Sequence, residues 1–274
     1  MVKTINNTED NTLHTLSIQV SLNGLSFCTV NQDQQITSLV EDNFGIQLSP
    51  EQVLDKIKYS FDHHLELKEN FKSVEVIYLN NLYTHVPKPL FDADQIKEYL
   101  KYNIKVLEND FIAYDELEQH DIITVYIPYA NINNFFFDSF GSFTYKHAST
   151  ILTNSLLSQE KHNENVSVFV NMNHKFFDIV IINKGKLVLA NTHFYETKED
   201  FLYYLLFTTE QLNLNPEDFQ LVFLGDISTQ SDYYDIAYKY IRNIHFGKRN
   251  KDLGLPKELE HIAPHQHYVL LSHF

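Results

Sequence analysis

Leu13-His14-Thr15-Leu16-Ser17-Ile18-Gln19-Val20, followed by Ser21-Leu22-Asn23-Gly24 and then Leu25-Ser26-Phe27-Cys28-Thr29, is the stretch that decides the fold. Leu16, Ile18 and Val20 alternate with Ser17 and Gln19 at period two, which predicts a strand with one buried face. Asn23-Gly24 tolerates positive φ at both central positions of a type I′ turn, and Leu25, Phe27 and Thr29 resume the alternation, so a hairpin is expected. A third strand over Gln35 to Glu41, reached through Asn31 to Gln34, completes an antiparallel meander. A helix then has its start written out, with Ser49 as cap, Pro50 at the first helical position and Gln52 three residues after the cap. Its apolar face is Leu54, Ile57, Phe61 and Leu65.

The same order returns downstream. Val166 to Met172, Phe176 to Ile182 and Lys186 to Thr192 read as strands, joined by turns at Asn173-His174 and Asn183-Lys184-Gly185. Ile18 and Val170 hold corresponding places, 152 residues apart. Thr197 with Asp200 caps the next helix, whose stripe is Phe201, Leu202, Leu205 and Leu212. Each meander and helix is followed by an apolar strand, Val74 to Leu79 in the first half and Gln220 to Leu224 in the second. A helix from Ser231 carries Tyr234, Ala237, Tyr238 and Ile241.

Later in the first copy, Pro87 and Pro89 make Tyr83 to Leu90 an extended connection. Asp92 with Gln95 opens a helix, Ile122 to Ile127 is a strand closed by Pro128, and Asn131 to Phe140 is a helix ending at Gly141. A further helix over Ser149 to Gln159 leads into the polar stretch Glu160 to Asn165. The predicted organisation is α/β: a βββαβαβα unit over 1–165 with a polar tail over 1–11, then a shorter copy over 166–274.

Composition narrows the functional classes. The 274 residues hold 36 Asp and Glu against 21 Lys and Arg, a formal charge of −15, which repels phosphate backbones and anionic membranes. Neither nucleic acid nor membrane is an expected partner. Apolar runs such as Phe201 to Phe207 fall far short of the ~20 residues of a membrane helix. A single cysteine and the polar start Met1 to Asn11 point to the cytoplasm, with Cys28 expected to be buried and unreactive. Phe135-Phe136-Phe137 spans about 200° of a helix at ~100° per residue, so at least one ring must leave the core stripe.

A meander, a helix and alternating strands and helices, present twice, resemble the ribonuclease H-like unit duplicated in the actin, hexokinase and Hsp70 superfamily. More narrowly, Leu16-Ser-Ile-Gln-Val20 with Gly24-Leu-Ser-Phe-Cys28, Val86-Pro-Lys-Pro-Leu-Phe91, Leu189-Ala-Asn-Thr192 and Phe223-Leu-Gly-Asp226 resemble an uncharacterised bacterial family with an actin-like ATPase fold. The resemblance implies two lobes around a central cleft and carries no assigned activity. It also implies where nucleotide chemistry would lie. The superfamily places an Asp-x-Gly type turn between the first two strands of each half, for phosphate and metal. Here those turns are Val20-Ser21-Leu22-Asn23-Gly24 and Met172-Asn173-His174-Lys175; neither has the Asp, and the second has no glycine. The paired glycines of the adenosine side are reduced to one in Leu224-Gly225-Asp226. Phosphoryl transfer rests on positioning and electrostatics, so these losses imply that ATP hydrolysis is absent. A two-metal nuclease is disfavoured as well, because Asp178 is the lone acid on its strand.

Gly225-Asp226-Ile227-Ser228 is the leading candidate site, since it joins the carboxyl end of a strand to a helix start, where open α/β sheets bind ligands. A plain tight turn is the competing reading. Asn23, Gly24, Asn173, His174 and Lys175 are the remaining candidates for lining a ligand or nucleotide cleft, and no catalytic residue is assigned. His261-x-x-x-His265-x-His267, with His273 beyond, is a weak metal candidate, because Pro264 interrupts any helix that would align three imidazoles. The expected function is a non-catalytic binding or scaffold protein with a protein partner and no cofactor. One alternative is a divergent nucleotide-binding protein using ATP and Mg²⁺, with Lys175 and Asp226 at the phosphates; another is a sensor of a small anion.

Overall fold

The computed structural model describes residues 14–117, 119–249 and 253–274. The expectations for the polar tail and for Leu13 fall outside them, as does that for the Leu65 side chain. The chain opens with β1 (Thr15–Ser21), β2 (Gly24–Val30), β3 (Ile36–Asn43), α1 (Pro50–His63), β4 (Ser73–Leu79) and β5 (Tyr83–Pro87). Next come α2 (Ile96–Leu100), β6 (Ala113–Leu117), β7 (Ile122–Tyr126), α3 (Ala130–Phe140), β8 (Thr144–His147) and α4 (Ala148–Gln159). The remainder is β9 (Val166–Asn173), β10 (Phe176–Asn183), β11 (Lys186–Phe194), α5 (Lys198–Gln211), β12 (Gln220–Gly225), α6 (Asp232–Tyr238), β13 (Asn243–Phe246) and α7 (Tyr268–Leu271).

The described residues divide into two compact units, one of residues 14–151, 253–260 and 274, the other of 152–249 and 261–273. The first holds a five-stranded sheet of order β3-β2-β1-β4-β8 and a three-stranded sheet of order β5-β7-β6; the second holds a five-stranded sheet of order β11-β10-β9-β12-β13. Both larger sheets run antiparallel through the meander and parallel beyond it. Ile18 faces Phe27 on one side and Val76 on the other, just as Val170 faces Ile179 and Phe223.

The expected helix starts are realised. Ser49 with Gln52 and Thr197 with Asp200 form reciprocal capping boxes. A cap contributes about 1 kcal/mol, whereas each fully buried aliphatic or Phe side chain contributes roughly 1.5–3 kcal/mol, so the faces these helices bury hold them in place. Val53, Ile57 and Phe61 of α1 join Leu16, Ile18, Val20 and Phe136 in one core. Phe201 and Leu205 of α5 join Val170, Ile179 and Phe223 in the other.

Four expectations are corrected. No residue of β1 is exposed, and Ser17 on its polar face is fully buried, because β1 is the central strand of its five-stranded sheet. The turn after it is not type I′: neither Asn23 nor Gly24 has positive φ, and the Ser21 hydroxyl closes the loop instead. Tyr83 to Pro87 is a strand, β5, and lies at a sheet edge where proline is tolerated. Ile122 to Tyr126, the fifth strand in the expected βββαβαβα order, lies outside the first large sheet; β7 is the middle of the small sheet, and the unforeseen β8 takes the fifth place beside β4. Of the three consecutive phenylalanines, Phe136 is buried, Phe135 packs against the core and Phe137 stands 63% exposed.

Candidate functional site

β9 and β12 run parallel, with Asn171 beside Leu224 and Met172 beside Gly225, so their carboxyl ends lie together. The chain leaves β12 through Gly225 at φ +78, and a Cβ there would stand 2.2 Å from the Met172 carbonyl oxygen and 2.8 Å from Asn171 Oδ1. Only glycine fits that approach and that φ. The Asp226 N–H donates to the Met172 carbonyl at 2.9 Å, and the Gly225 N–H to the His265 carbonyl at 2.8 Å. Ser228 turns the chain toward α6: its hydroxyl accepts from the Gln230 N–H at 3.3 Å and its carbonyl from the Ser231 N–H at 3.0 Å.

Beneath this loop Asp178 is buried. Its Oδ2 accepts from the side-chain amides of Asn171 and Asn173, both at 3.1 Å, and its Oδ1 from the Thr192 hydroxyl at 2.7 Å. Burial pushes this carboxyl above the ordinary Asp range, and the three donors pull in the opposite direction. The turn above it is pinned from the side: the Tyr195 hydroxyl donates to the Asn173 carbonyl at 2.7 Å, and the Tyr195 N–H to the Lys175 carbonyl at 3.1 Å. Burial first, then the neighbouring Tyr233 and Asp226, push the Tyr195 hydroxyl up. Asp226, Ser228, His174 and Lys175 are exposed. This arrangement brings Asn173, Gly225 and Asp226 of the expected site together, adds Asn171, Asp178, Thr192 and Tyr195, and carries two exposed charges, Asp226 on the loop and Lys175 on the β9–β10 turn.

In the first unit, the β1–β2 loop is closed by its own side chain. Ser21 Oγ accepts from the N–H groups of Asn23 at 3.2 Å and Gly24 at 3.0 Å, and donates to the Gly24 carbonyl at 3.1 Å. The backbone donors that a phosphate would need are engaged by this hydroxyl. Gly24 is there for space: a Cβ would come within 2.9 Å of the Asp42 carbonyl on β3.

The histidines of the C-terminal segment are placed apart in role. His265 is buried, donates from Nε2 to the Ile227 carbonyl at 2.7 Å and lies 4.5 Å from the Phe246 ring, which makes it a support for the candidate loop. His261 is exposed, and His267 holds the left-handed φ of +49 that opens α7. Among the described residues no group of three or more His, Cys, Asp or Glu is placed to hold a metal ion.

A second polar cluster, at the carboxyl ends of β4 and β8, escaped the sequence reading. The Ser149 N–H donates to His147 Nδ1 at 3.1 Å, which leaves the proton of the neutral ring on Nε2, 3.3 Å from Asn80 Oδ1. His85 Nε2 lies 2.9 Å from the Ser149 hydroxyl, and its Nδ1 lies 3.1 Å from that of Thr124. Asp115 accepts from the His147 N–H, the Thr150 hydroxyl and the Tyr126 hydroxyl at 2.8, 2.6 and 2.9 Å. Burial lowers His85 to about 4 and His147 to about 3 and raises Asp115. The signal available in the sequence was position: Asn80 directly follows an apolar strand, and His147 and Ser149 straddle a strand-to-helix junction.

No described helix is long and apolar enough to cross a membrane. The model of a family described as "Protein of unknown function (DUF3822)" matches residues 3–244. No curated protein matches the chain. Among solved structures, a Bacteroides thetaiotaomicron VPI-5482 protein with actin-like ATPase fold and unknown function superposes with a TM-score of 0.78 at 22% identity, over 86% of this chain and 91% of that one. The PilM-PilN type IV pilus biogenesis complex superposes with a TM-score of 0.59 at 11% identity, over 95% of this chain and 97% of that one. The likeness establishes an actin-like ATPase fold.

Proposed function

The chain belongs to that family of proteins of unknown function, and from this premise we propose that it is a non-catalytic binding module built on an actin-like scaffold. The observation that carries this reading is the state of Asp178. Its oxygens are taken by Asn171, Asn173 and Thr192, and the amide of Asn171 fills the space under Gly225. A carboxylate held this way, in a buried network, serves as a structural hub rather than a metal ligand or a base. The Ser21 hydroxyl does the same for the backbone donors of the first loop.

A protein is the partner class this reading favours. The PilM structure of the same fold was solved as a complex with PilN, an instance of an actin-like scaffold engaged with another protein. A buried free thiol at Cys28 suits a reducing compartment such as the cytoplasm. Isothermal titration with ATP and Mg²⁺ tests the proposal. The expected result is no binding and no turnover; micromolar binding with hydrolysis lost in Asp226→Ala overturns it and establishes the divergent nucleotide-binding alternative. The sensor alternative rests on the strand-to-helix junction at Gly225 to Ser228; a small anion that raises the melting temperature in a thermal-shift screen would establish it instead, and a screen without a hit retires it.

A further inference from the structure

Three open sheets leave six edge strands among the described residues: β3 and β8, β11 and β13, β5 and β6. A bare edge invites another chain to pair, and proteins blunt their edges by brevity, charge, proline or cover. Five of the six carry such a device. β8 and β13 are four residues each. β5 ends on Pro87, and β6 carries Asp115 and Glu116. β3 carries Glu41 and Asp42, and its start is covered by Gly254, which donates to the Gln34 carbonyl at 2.8 Å and accepts from the Ile36 N–H at 2.9 Å.

β11 differs from all of these. It is nine residues long, pairs with β10 alone, and from Leu187 to Phe194 holds neither charge nor proline. A register shift opposite Ile181 and Ile182 disturbs its Lys186 end, and from Leu189 to Phe194 the pairing with β10 is regular. Val188 is 47% and Phe194 48% exposed. Beside the strand, α5 presents Tyr203 at 58% and Phe207 at 45% exposure, stacked on each other at 5.6 Å. Tyr204 stacks on His193 of β11 at 5.0 Å and meets Tyr203 at 5.3 Å, so strand edge and aromatic ledge form one surface.

We infer that this surface takes a second copy of the chain: two β11 strands pair antiparallel about a two-fold near Ala190 and Asn191, joining two five-stranded sheets into one. Charge selects this occupant. Lys184 and Lys186 lie at the start of the strand and Glu196 just past its end, all three exposed. Antiparallel self-pairing lays the lysine end of each copy beside Glu196 of the other, whereas parallel pairing sets like on like. In a chain of formal charge −15, an uncharged strand with opposite charges at its ends is the place where two copies meet with least repulsion. The two-fold also closes the assembly, because each copy uses the edge that the other needs.

Sedimentation velocity over about 1 to 100 μM tests the inference, since a reversible dimer is concentration-dependent. The expected result is a 32.2 kDa species giving way to one of twice that mass. Asn191→Lys moves the net charge toward zero, which eases general repulsion, yet sets two ammonium groups against each other at the axis. It is expected to weaken the dimer by roughly tenfold or more. Lys186→Glu is expected to weaken it too, and adding Glu196→Lys to restore it. All three positions are exposed, and thermal melts of the variants check that each still folds. A chain that stays at 32.2 kDa throughout, or a dimer that Asn191→Lys leaves intact, overturns the inference.

Discussion

The side-chain amide of Asn171 donates to the buried carboxylate of Asp178 at 3.1 Å. The donor type matters, because an acid at position 171 would reverse the interaction. In Asn171→Asp two carboxyl groups share one buried site, and one of them must keep a proton. A folded-state pKa raised above the unfolded value gives stability that is present at low pH and lost as pH rises through the folded value. Asn171→Asp is therefore expected to lose about 3 kcal/mol or more at pH 7, and distinctly less near pH 5. Urea unfolding at the two pH values measures this, and an equal loss at both would show that the two groups do not couple.

Gly225 carries a separate constraint, from the backbone. Gly225→Ala puts a methyl group 2.2 Å from the Met172 carbonyl oxygen at a φ of +78. Left-handed strain alone costs on the order of 1 kcal/mol, and the clash adds to it. A loss of about 2–4 kcal/mol is expected, with a fall in the melting temperature of the second unit. If the variant melts with the wild type, the loop has room that these distances deny.

Cys28 tests the core of the first unit. It is fully buried in β2, and burial pushes its thiol well above the usual cysteine range. The thiolate is the reactive form, so Ellman's reagent is expected to modify Cys28 only as fast as the unit opens, and within the mixing time once urea unfolds it. Rapid modification of the native chain would place Cys28 at an accessible surface.

How much of this was legible beforehand follows from the range of the forces involved. Ser49 with Gln52 and Thr197 with Asp200 were readable because a capping box is a local bond across three residues. The two meanders were readable from period-two alternation and short turns, and their order carried the fold. The sheet that β7 joins and the existence of β8 were not legible, because which sheet a short strand joins is decided by partners far along the chain; β8 is four residues long, and its partner β4 begins some 70 residues earlier. The turn at Asn23-Gly24 was misread because Ser21 supplies the closing bonds, a tertiary choice between two loops that its sequence permits equally. Gly225 and Asp226 were legible as a strand-to-helix junction because the apolar strand ends there. Asn171 and Thr192 were not, since only the strand register brings both to Asp178.

The histidines of the first unit set the acid limit of the fold. His85 and His147 are held neutral, near 4 and 3, by burial, and His193 of the second unit is lowered by the same cause. An unfolded histidine takes its proton near pH 6.5, so below that value the unfolded chain binds more protons than the native one and stability falls. The slope is about 1.4 kcal/mol per pH unit for each such group, and the loss runs from about pH 6.5 down to the folded values. Asp115 and Asp178, both raised by burial, act in the opposite sense, since native carboxyls that protonate early gain stability as pH falls. With three imidazoles against two carboxyls, the expected balance is a net loss between pH 6.5 and 4.5. Chemical denaturation across that range measures it, and the double variant His85→Asn with His147→Asn, though less stable at pH 7, is expected to show a shallower dependence. A wild-type chain whose stability stays level over those two units would mean that water reaches both rings.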